Sequence, residues 1–200
     1  MDLKHPQLSF DETTHIYRLD GVEIPSVSKL MEPLSQHEYG AINPAVLEAA
    51  AHRGTAVHNA IENYMKFGLL DISEDYQGYI DGFLAWWDLH HPEVIGSEVR
   101  TYHPLMRYGG TVDLIAKIDG DITLIDFKTT SRLVTKNCRV QLEAYSQALR
   151  VHGIDIQKKR ILHLEKDGKW SEPEFQVKDI EAWKVFGALK CVYDYLQKEG

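Results

Sequence analysis

The sequence predicts an α/β fold in which a central mixed sheet is flanked by helices. The first observation is a segment from Gly109 to Lys128 that reads as a β-hairpin. It turns at Asp119-Gly120, and Asp-Gly is a dipeptide that two-residue type I′ turns prefer. The second observation is that apolar residues occupy both faces of this hairpin, as expected of a buried, central pair of strands. The third is that segments with helical periodicity precede and follow the hairpin, and a further strand comes after them.

The other elements follow from periodicity and from turn and capping residues. Asp20-Gly21 marks an N-terminal hairpin, and Asn43-Pro44 with Gly68 mark the start and stop of a long helix that Gly54 would kink or divide. Ser73 caps the next helix. The pattern predicts strands over 14–19, 22–24, 98–103, 111–118, 122–129, 159–165 and 174–177, and further helices over 26–34, 136–152 and 180–198.

Length and composition predict a single domain over residues 1–200, with an N-terminal hairpin and helical extension at about 1–42. Hydrophobic residues make up 44% and charged residues 26%, as in ordinary globular proteins. No apolar run is long enough to span a membrane, and residues 1–6 do not resemble a leader, so we expect a cytoplasmic protein. Two cysteines exclude a disulfide framework and leave too few thiolates for an iron–sulfur cluster.

The central hairpin carries two acids where packing alone would favour apolar side chains. If Asp119 and Gly120 form the loop, Ile118 pairs with Asp121, and counting back sets Asp113 opposite Asp126. Lys128 shares the face of Asp126 because side chains alternate along a strand. Facing carboxylates in a buried sheet repel each other unless a cation lies between them, and hard oxygen ligands favour Mg²⁺ or Mn²⁺. A single Asp in a strand is more often a surface residue, so the interpretation depends on the whole set.

Two pairs of polar side chains lie four residues apart on predicted helices and therefore share a helix face. His58 with Glu62 adds a common type of metal ligand, although a lone histidine is more often a surface or hydrogen-bonded core residue. Gln141 with Tyr145 lies on a helix that is otherwise apolar on its inner side, where a buried tyrosine is the simpler explanation.

The net charge and the distribution of basic residues give mixed support for a nucleic-acid partner. The formal net charge of −8 argues mildly against it, because phosphate binding depends on Lys and Arg. From Lys128 to Arg139, however, the chain contains basic residues and no acid, so a basic strip begins at the proposed metal site; a solvated loop is the alternative. Trp86, Trp87, Tyr102 and Tyr108 could stack on bases, although core packing is the better explanation for the tryptophans.

Taken in order, four motifs resemble a known family. Gly54-Thr55-x-x-His58, Gly110-x-x-Asp113, Asp126-x-Lys128 and Gln141-x-x-x-Tyr145 are similar to the motifs of the RecB-type branch of the PD-(D/E)xK nuclease superfamily. The opening Tyr17 to Gly21 and Ile24 to Val27 are similar to phage exonucleases and to the mitochondrial genome maintenance exonuclease. The resemblance implies a restriction-endonuclease-like core. The second acid is Asp126 where many members of the superfamily have Glu, a difference that RecB-type members share.

The resemblance also implies roles for individual residues. His58, Asp113, Asp126 and the main-chain carbonyl of Phe127 would bind one or two Mg²⁺ or Mn²⁺ ions. Lys128 would orient or activate the attacking water and offset transition-state charge, with Gln141 and Tyr145 positioning it or the scissile phosphate. Contacts to nucleic acid are expected from Arg53, Thr55, Thr129, Thr130, Arg132, Lys136 and Arg139. Glu62 and Glu98 are expected to contact the ligands rather than the metal.

The expected activity is that of a metal-dependent exonuclease acting on the ends of single-stranded or duplex DNA. The expected setting is recombination, repair or replication in a bacterial or phage-infected cell, where a recombination protein would be a partner. Base-reading endonucleases need extra surface, which 200 residues scarcely provide. A structure-specific endonuclease or junction resolvase would use the same site, and a catalytically silent nucleic-acid-binding module is the non-enzyme alternative. Strand preference, polarity and oligomeric state stay open.

Overall fold

The computed structural model describes residues 7–198, and the expectation about a leader concerns residues 1–6, which lie outside the described part. The helices are α1 (Val27–Leu30), α2 (Glu32–Tyr39), α3 (Pro44–Phe67), α4 (Gln77–His90), α5 (Thr135–Arg150) and α6 (Ile180–Gln197). The strands are β1 (Leu8–Asp11), β2 (Ile16–Leu19), β3 (Val22–Ile24), β4 (Glu93–His103), β5 (Tyr108–Ile118), β6 (Asp121–Lys128), β7 (Lys158–Leu164), β8 (Trp170–Ser171) and β9 (Glu174–Phe175). None of these helices is long and apolar enough to cross a membrane.

The central sheet is mixed, as the sequence predicts. Its strands lie in the order β4-β5-β6-β7-β8, with β9 also pairing with β7. The pair β6–β7 is parallel, whereas β4–β5 and β5–β6 are antiparallel. A parallel pair needs a long crossover connection, and α5 lies within that connection. The α/β fold class with helices around a mixed sheet is therefore confirmed.

A second, small sheet is formed by β1, β2 and β3. The turn at Asp20-Gly21 has positive φ at both residues, 52° and 78°, as the predicted hairpin requires. Strand β1 was missed from the sequence because only Leu8 and Phe10 are apolar in a four-residue segment. Whether this sheet is an extension of one domain stays a prediction.

The central sheet separates two core layers. On one face it packs against α5 and α6, with Leu142 and Phe186 fully buried, and on the other against α3 and α4, with Ile61 and Phe83 fully buried. The layers support the assignment of Trp86 to the core, since it is 0% exposed. Tyr102 and Tyr108 are also buried, at 6% and 0%, and this burial contradicts a role for them in base stacking.

The helix boundaries follow their capping residues. Asn43 accepts the N–H of Ala45, and Gly68 ends α3 in the left-handed conformation, as predicted. The prediction that Gly54 divides this helix is wrong, because α3 is continuous through it.

Two helix predictions in the N-terminal half need correction at their boundaries. The predicted helix 26–34 is two helices, since Pro33 fits only the first turn of a helix and so α2 begins anew at Glu32. Ser73 caps a 3₁₀ turn, Glu74–Tyr76, which precedes α4.

Gly78 at the start of α4 lies closer to neighbouring backbone than the other glycines that the structure describes. A Cβ on Gly78 would lie 1.9 Å from the carbonyl oxygen of Lys166. We expect Gly78→Ala to lower the free energy of unfolding by about 1–3 kcal/mol, as overpacking typically does. Gly187→Ala in α6 is the matched control, because a Cβ there meets nothing within 4 Å and alanine favours helix by about 0.5–1 kcal/mol. Urea unfolding of both variants measures the difference, and equal stability would contradict the close contact.

Candidate active site

The candidate site lies where β5 and β6 separate. The predicted register is confirmed from Ile118–Asp121 as far as Leu114–Ile125, and Asp119 and Gly120 have the positive φ values of a type I′ turn, 52° and 92°. The predicted pair Asp113–Asp126 is not formed, because the ladder stops one position earlier. The physical reason is that the carboxylate of Asp113 accepts the N–H of Phe127 at 2.7 Å, and β6 continues alongside β7.

Side-chain alternation also breaks at Asp113. Residues two apart on a strand normally share a face, yet Val112 packs in the α5 layer and Leu114 in the α3 layer. Across β4, the register of Ser97 with Leu114 and of Val99 with Val112 leaves Glu98 opposite Asp113. Glu98 has φ of 49°, which is rare for a residue other than glycine and is found where tertiary structure imposes it. The irregularity brings the two carboxylates to the same side of the sheet.

His58, Glu98 and Asp113 form a cluster whose ligand atoms all lie within 4.8 Å of one another. Helix α3 delivers His58, whose Nδ1 lies 3.7 Å from Oδ2 of Asp113. Its Nε2 lies 3.1 Å from the carbonyl oxygen of Phe127. The predicted neighbourhood of His58, Asp113 and this carbonyl is therefore present. We expected Glu98 to contact the ligands and not the metal, yet its carboxylate is one of the three groups that form the cluster.

The electrostatics of the cluster favour a bound cation. Burial, followed by the charges of Asp113 and Glu62, raises the pKa of Glu98 to about 8. Burial and the charge of Asp126 also raise the pKa of Asp113, against the opposing effect of His58. Both shifts mean that negative charge is costly here without a counter-ion. The donor set of carboxylates, an imidazole and a carbonyl fits a divalent ion such as Mg²⁺ or Mn²⁺.

Asp126 lies next to this cluster and is held from the α5 side. Its Oδ2 is 2.7 Å from Nζ of Lys128, and its Oδ1 accepts Nε2 of Gln141 at 3.0 Å. The same Nε2 lies 3.3 Å from the hydroxyl of Tyr145. Burial alone would lower the pKa of Lys128, but the carboxylates of Asp126 and Asp113 raise it above its usual value. The predicted acid, lysine, glutamine and tyrosine thus form one group, in which an ion pair joins the lysine to the acid and hydrogen bonds join the glutamine to the acid and to the tyrosine.

Gly110 explains how Tyr145 reaches this group. A Cβ on Gly110 would lie 2.6 Å from Cε1 of Tyr145, so only glycine lets the ring approach β5 so closely. Burial is the main cause of the raised pKa of Tyr145, which keeps its hydroxyl protonated.

The residues expected to contact nucleic acid occupy different surroundings. Thr55 and Arg132 are exposed, Thr129 is buried near Gly54, and the guanidinium of Arg53 lies 5.6 Å from the ring centre of Tyr79. The carbonyl of Thr130 accepts a hydrogen bond from His163.

Three basic residues of the predicted strip are already paired with acids. Lys128 pairs with Asp126, Lys136 forms an ion pair with Glu38, and Arg139 binds Asp179 and Glu181. The part of the strip on α5 therefore contributes to the packing of helices. Arg132, whose side chain is exposed, stays a predicted DNA contact.

The importance of Glu98 was underestimated from the sequence. Its predicted strand began at residue 98, and the turn that follows β4 has no hairpin dipeptide from which a register could be counted. The cue that could have identified it is an acid at the centre of a longer β-strand segment, Glu93–His103.

A buried carboxylate cluster with a histidine and a neighbouring lysine, at the point where two strands of a mixed sheet part, is typical of nucleases that cleave phosphodiesters with a divalent metal. A family model described as the PD-(D/E)XK nuclease superfamily matches residues 74–186. The chain belongs to this superfamily. His58 precedes the matched segment. The segment contains the other side chains of the candidate site, which are Glu98, Asp113, Asp126, Lys128, Gln141 and Tyr145.

Solved structures give more distant similarities. The crystal structure of SSO0001 matches with 17% identity and a TM-score of 0.41, covering 60% of this chain and 57% of the other. The alkaline exonuclease LHK-Exo from Laribacter hongkongensis matches with 13% identity and a TM-score of 0.41, covering 71% and 82%. The complex of LHK-Exo with dAMP matches with 12% identity and a TM-score of 0.46, covering 88% and 92%. No curated protein matches the chain.

Proposed function

We propose that the protein is a Mg²⁺- or Mn²⁺-dependent exonuclease that hydrolyses phosphodiester bonds at DNA ends. The observation that carries the proposal is the convergence of His58, Glu98 and Asp113 within 4.8 Å, beside the Asp126–Lys128 ion pair. Membership in the nuclease superfamily supports the reaction class. The proposal also includes the choice of metal, DNA as the substrate, and attack from DNA ends.

The residues divide into ligands and positioning groups. His58, Asp113, Asp126 and the carbonyl of Phe127 would hold the metal, with Glu98 as an added ligand. When bound, the ion lowers the pKa of a water and neutralises charge on the phosphoryl oxygens. Lys128 presents an ammonium group to the reacting phosphate and the water that attacks it.

Gln141 and Tyr145, the two polar site residues on α5, act through Asp126. Gln141 fixes the Asp126 carboxylate by its hydrogen bond, and Tyr145 in turn lies within hydrogen-bond distance of Gln141. We propose that this arrangement holds Asp126 and Lys128 in place as the reaction proceeds. A well-oriented supporting group of this kind commonly contributes to affinity for the metal.

The preference for ends rests on the resemblance of Tyr17 to Gly21 and of Ile24 to Val27 to phage exonucleases. The proposed setting is recombination, repair or replication in the cytoplasm of a bacterial or phage-infected cell.

Digestion of end-labelled single-stranded and duplex DNA tests the proposal, with covalently closed circles as controls. We expect linear DNA to be degraded in Mg²⁺ or Mn²⁺ and left intact in EDTA, while circles survive. Cleavage of the circles would instead assign a structure-specific endonuclease or resolvase. Absence of any cleavage in both metals would leave a silent nucleic-acid-binding module and overturn the proposal. Calorimetric titration with Mn²⁺ separates these outcomes further, because a silent module has no need to bind the ion.

A further inference from the structure

Arg100 is a basic residue beside the metal cluster that the roles above do not use. On β4 it pairs with Thr111, and paired residues of antiparallel strands point to the same face. It follows Glu98 by two residues, a distance of about 6.8 Å along an antiparallel strand. Arg100 therefore lies close to the proposed metal site along β4.

The small N-terminal sheet holds this guanidinium in a defined orientation. Its Cζ lies 4.8 Å from the centre of the Phe10 ring, a cation–π contact, and its NH2 group donates to Oε1 of Glu12 at 2.6 Å. Next to it, the hydroxyl of Tyr17 lies 2.6 Å from Oγ1 of Thr111, which joins the two sheets. Arg100 is thus positioned by packing, while part of its surface faces solvent.

The partner of Arg100 is easily exchanged. The side chains of Arg100 and Glu12 are 46% and 77% exposed, and exposed ion pairs contribute little to stability. An arginine fork suits two oxygens of one phosphate as well as it suits a carboxylate. A phosphate could therefore displace Glu12 at little cost.

The charges around the cluster give a reason for such an exchange. A polyanionic strand that approaches Asp113 also meets the carboxylate of Glu98, whose ligand atom lies within 4.8 Å of that of Asp113. Lys66 of α3 is bound to Glu62 of its own helix. Arg100 is paired with a solvent-exposed acid in the turn after β1, so its guanidinium is more available to a phosphate than the ammonium of Lys66.

We infer that Arg100 binds the backbone phosphate next to the scissile one, and that Glu12 occupies this phosphate subsite until the strand enters. The inference rests on the proposed function, since it takes the cluster as the place of cleavage. It makes the N-terminal sheet one wall of the substrate path: Phe10 orients the guanidinium, and Tyr17 fixes the neighbouring strand.

Binding of a fluorescein-labelled single-stranded DNA oligonucleotide, followed by anisotropy in EDTA, tests the inference without cleavage. Loss of one phosphate contact should reduce the slope of log K against log salt by about 0.7, so Arg100→Gln is expected to bind more weakly with that smaller slope. Lys117→Gln is the matched control, because Lys117 is also exposed and basic but lies at the far end of β5. A slope for Arg100→Gln equal to that of the control would overturn the inference.

A second variant, Glu12→Gln, should change the affinity for DNA in the opposite direction to Arg100→Gln, so damage to the fold would not explain its effect. It is expected to tighten binding, and this gain should disappear in the Arg100→Gln background, because no guanidinium is left to release. A gain that persists in the double variant would mean a general charge effect and would also overturn the inference. The melting temperature of the Arg100→Lys variant checks that the N-terminal sheet stays packed. The digestion assay on the wild-type chain is independent of these measurements, so failure of the proposed function would be seen separately.

Discussion

Asp126→Asn is expected to reduce DNA cleavage by about three orders of magnitude, the upper range for loss of one preorganised electrostatic group. The asparagine keeps the shape of the side chain, which is 3% exposed, and can still accept Nε2 of Gln141 through its oxygen. It loses the charge that pairs with Lys128 at 2.7 Å and that we propose binds a metal. DNA affinity should stay the same or increase, because repulsion of phosphate is reduced. Initial rates on end-labelled DNA in Mg²⁺ and Mn²⁺ measure the effect.

Asp121→Asn provides a charge-matched control on the same strand. Asp121 begins β6 at the hairpin turn, where it pairs with Lys158 at 2.8 Å and is partly exposed. It should retain wild-type cleavage. Calorimetry with Mn²⁺ should show weakened binding for Asp126→Asn and normal binding for Asp121→Asn. Wild-type cleavage by Asp126→Asn in either metal would refute the role of the carboxylate.

Lys159→Met is expected to lower the free energy of unfolding by about 3–5 kcal/mol, the usual effect of removing one partner from a buried ion pair. Lys159 and Glu143 are 0% and 1% exposed, and Nζ of Lys159 lies 2.5 Å from Oε2 of Glu143. Burial lowers the pKa of Lys159, and the hydrogen bond and charge of Glu143 oppose this effect. Without the ammonium group, Glu143 is left as an unpaired anion in the core. Urea unfolding measures the loss.

Lys158→Met, one residue earlier on β7, is the control for this stability prediction. Lys158 pairs with Asp121 at the surface, with exposed fractions of 28% and 37%, so its removal should change stability by less than about 1 kcal/mol. Lys159→Met combined with Glu143→Leu should recover part of the loss, because the unpaired charge is removed. Recovery stays incomplete because Oε2 of Glu143 also accepts the N–H of Asp179. Equal stabilities of Lys158→Met and Lys159→Met would contradict the assigned energetics.

This buried pair also bears on the site, since Glu143 lies on α5 between Gln141 and Tyr145. Through Lys159 it fixes α5 to β7, and through the N–H of Asp179 it fixes α5 to the start of α6. The helix that positions Asp126 is therefore anchored on two sides. The double variant is expected to keep its fold while cleaving DNA less efficiently, as looser support of a positioning residue usually costs rate.

Much of the fold was predictable because its signals are local. The hairpin at Asp119-Gly120 and the ends of α3 at Pro44 and Gly68 depend on backbone conformations that only certain residues favour. The site was predictable for similar reasons. Lys128 lies two residues from Asp126, and Tyr145 lies four residues from Gln141, so alternation and helix pitch alone bring the members of each pair together.

Other features needed the tertiary structure. The carboxylate of Asp113 replaces a strand-pairing hydrogen bond and ends the ladder, which no count of residues along an ideal hairpin reveals. Arg139 appeared basic and free in the sequence, yet it binds Asp179 and Glu181 at the start of α6, which lie 40 and 42 residues further along the chain. Distant partners of this kind are set by how layers pack, and packing is not encoded in any short segment.

The amino-acid pattern was enough to locate the central hairpin from Gly109 to Lys128, the two acids and the lysine on it, and the helices that carry His58 and Gln141. The packing of the folded chain was needed to bring Glu98, at φ of 49°, into the cluster and to break the alternation of β5 at Asp113. The reason is energetic: turns, caps and alternation are fixed by neighbouring residues, whereas a strained backbone and converging carboxylates persist only where the surrounding packing stabilises them.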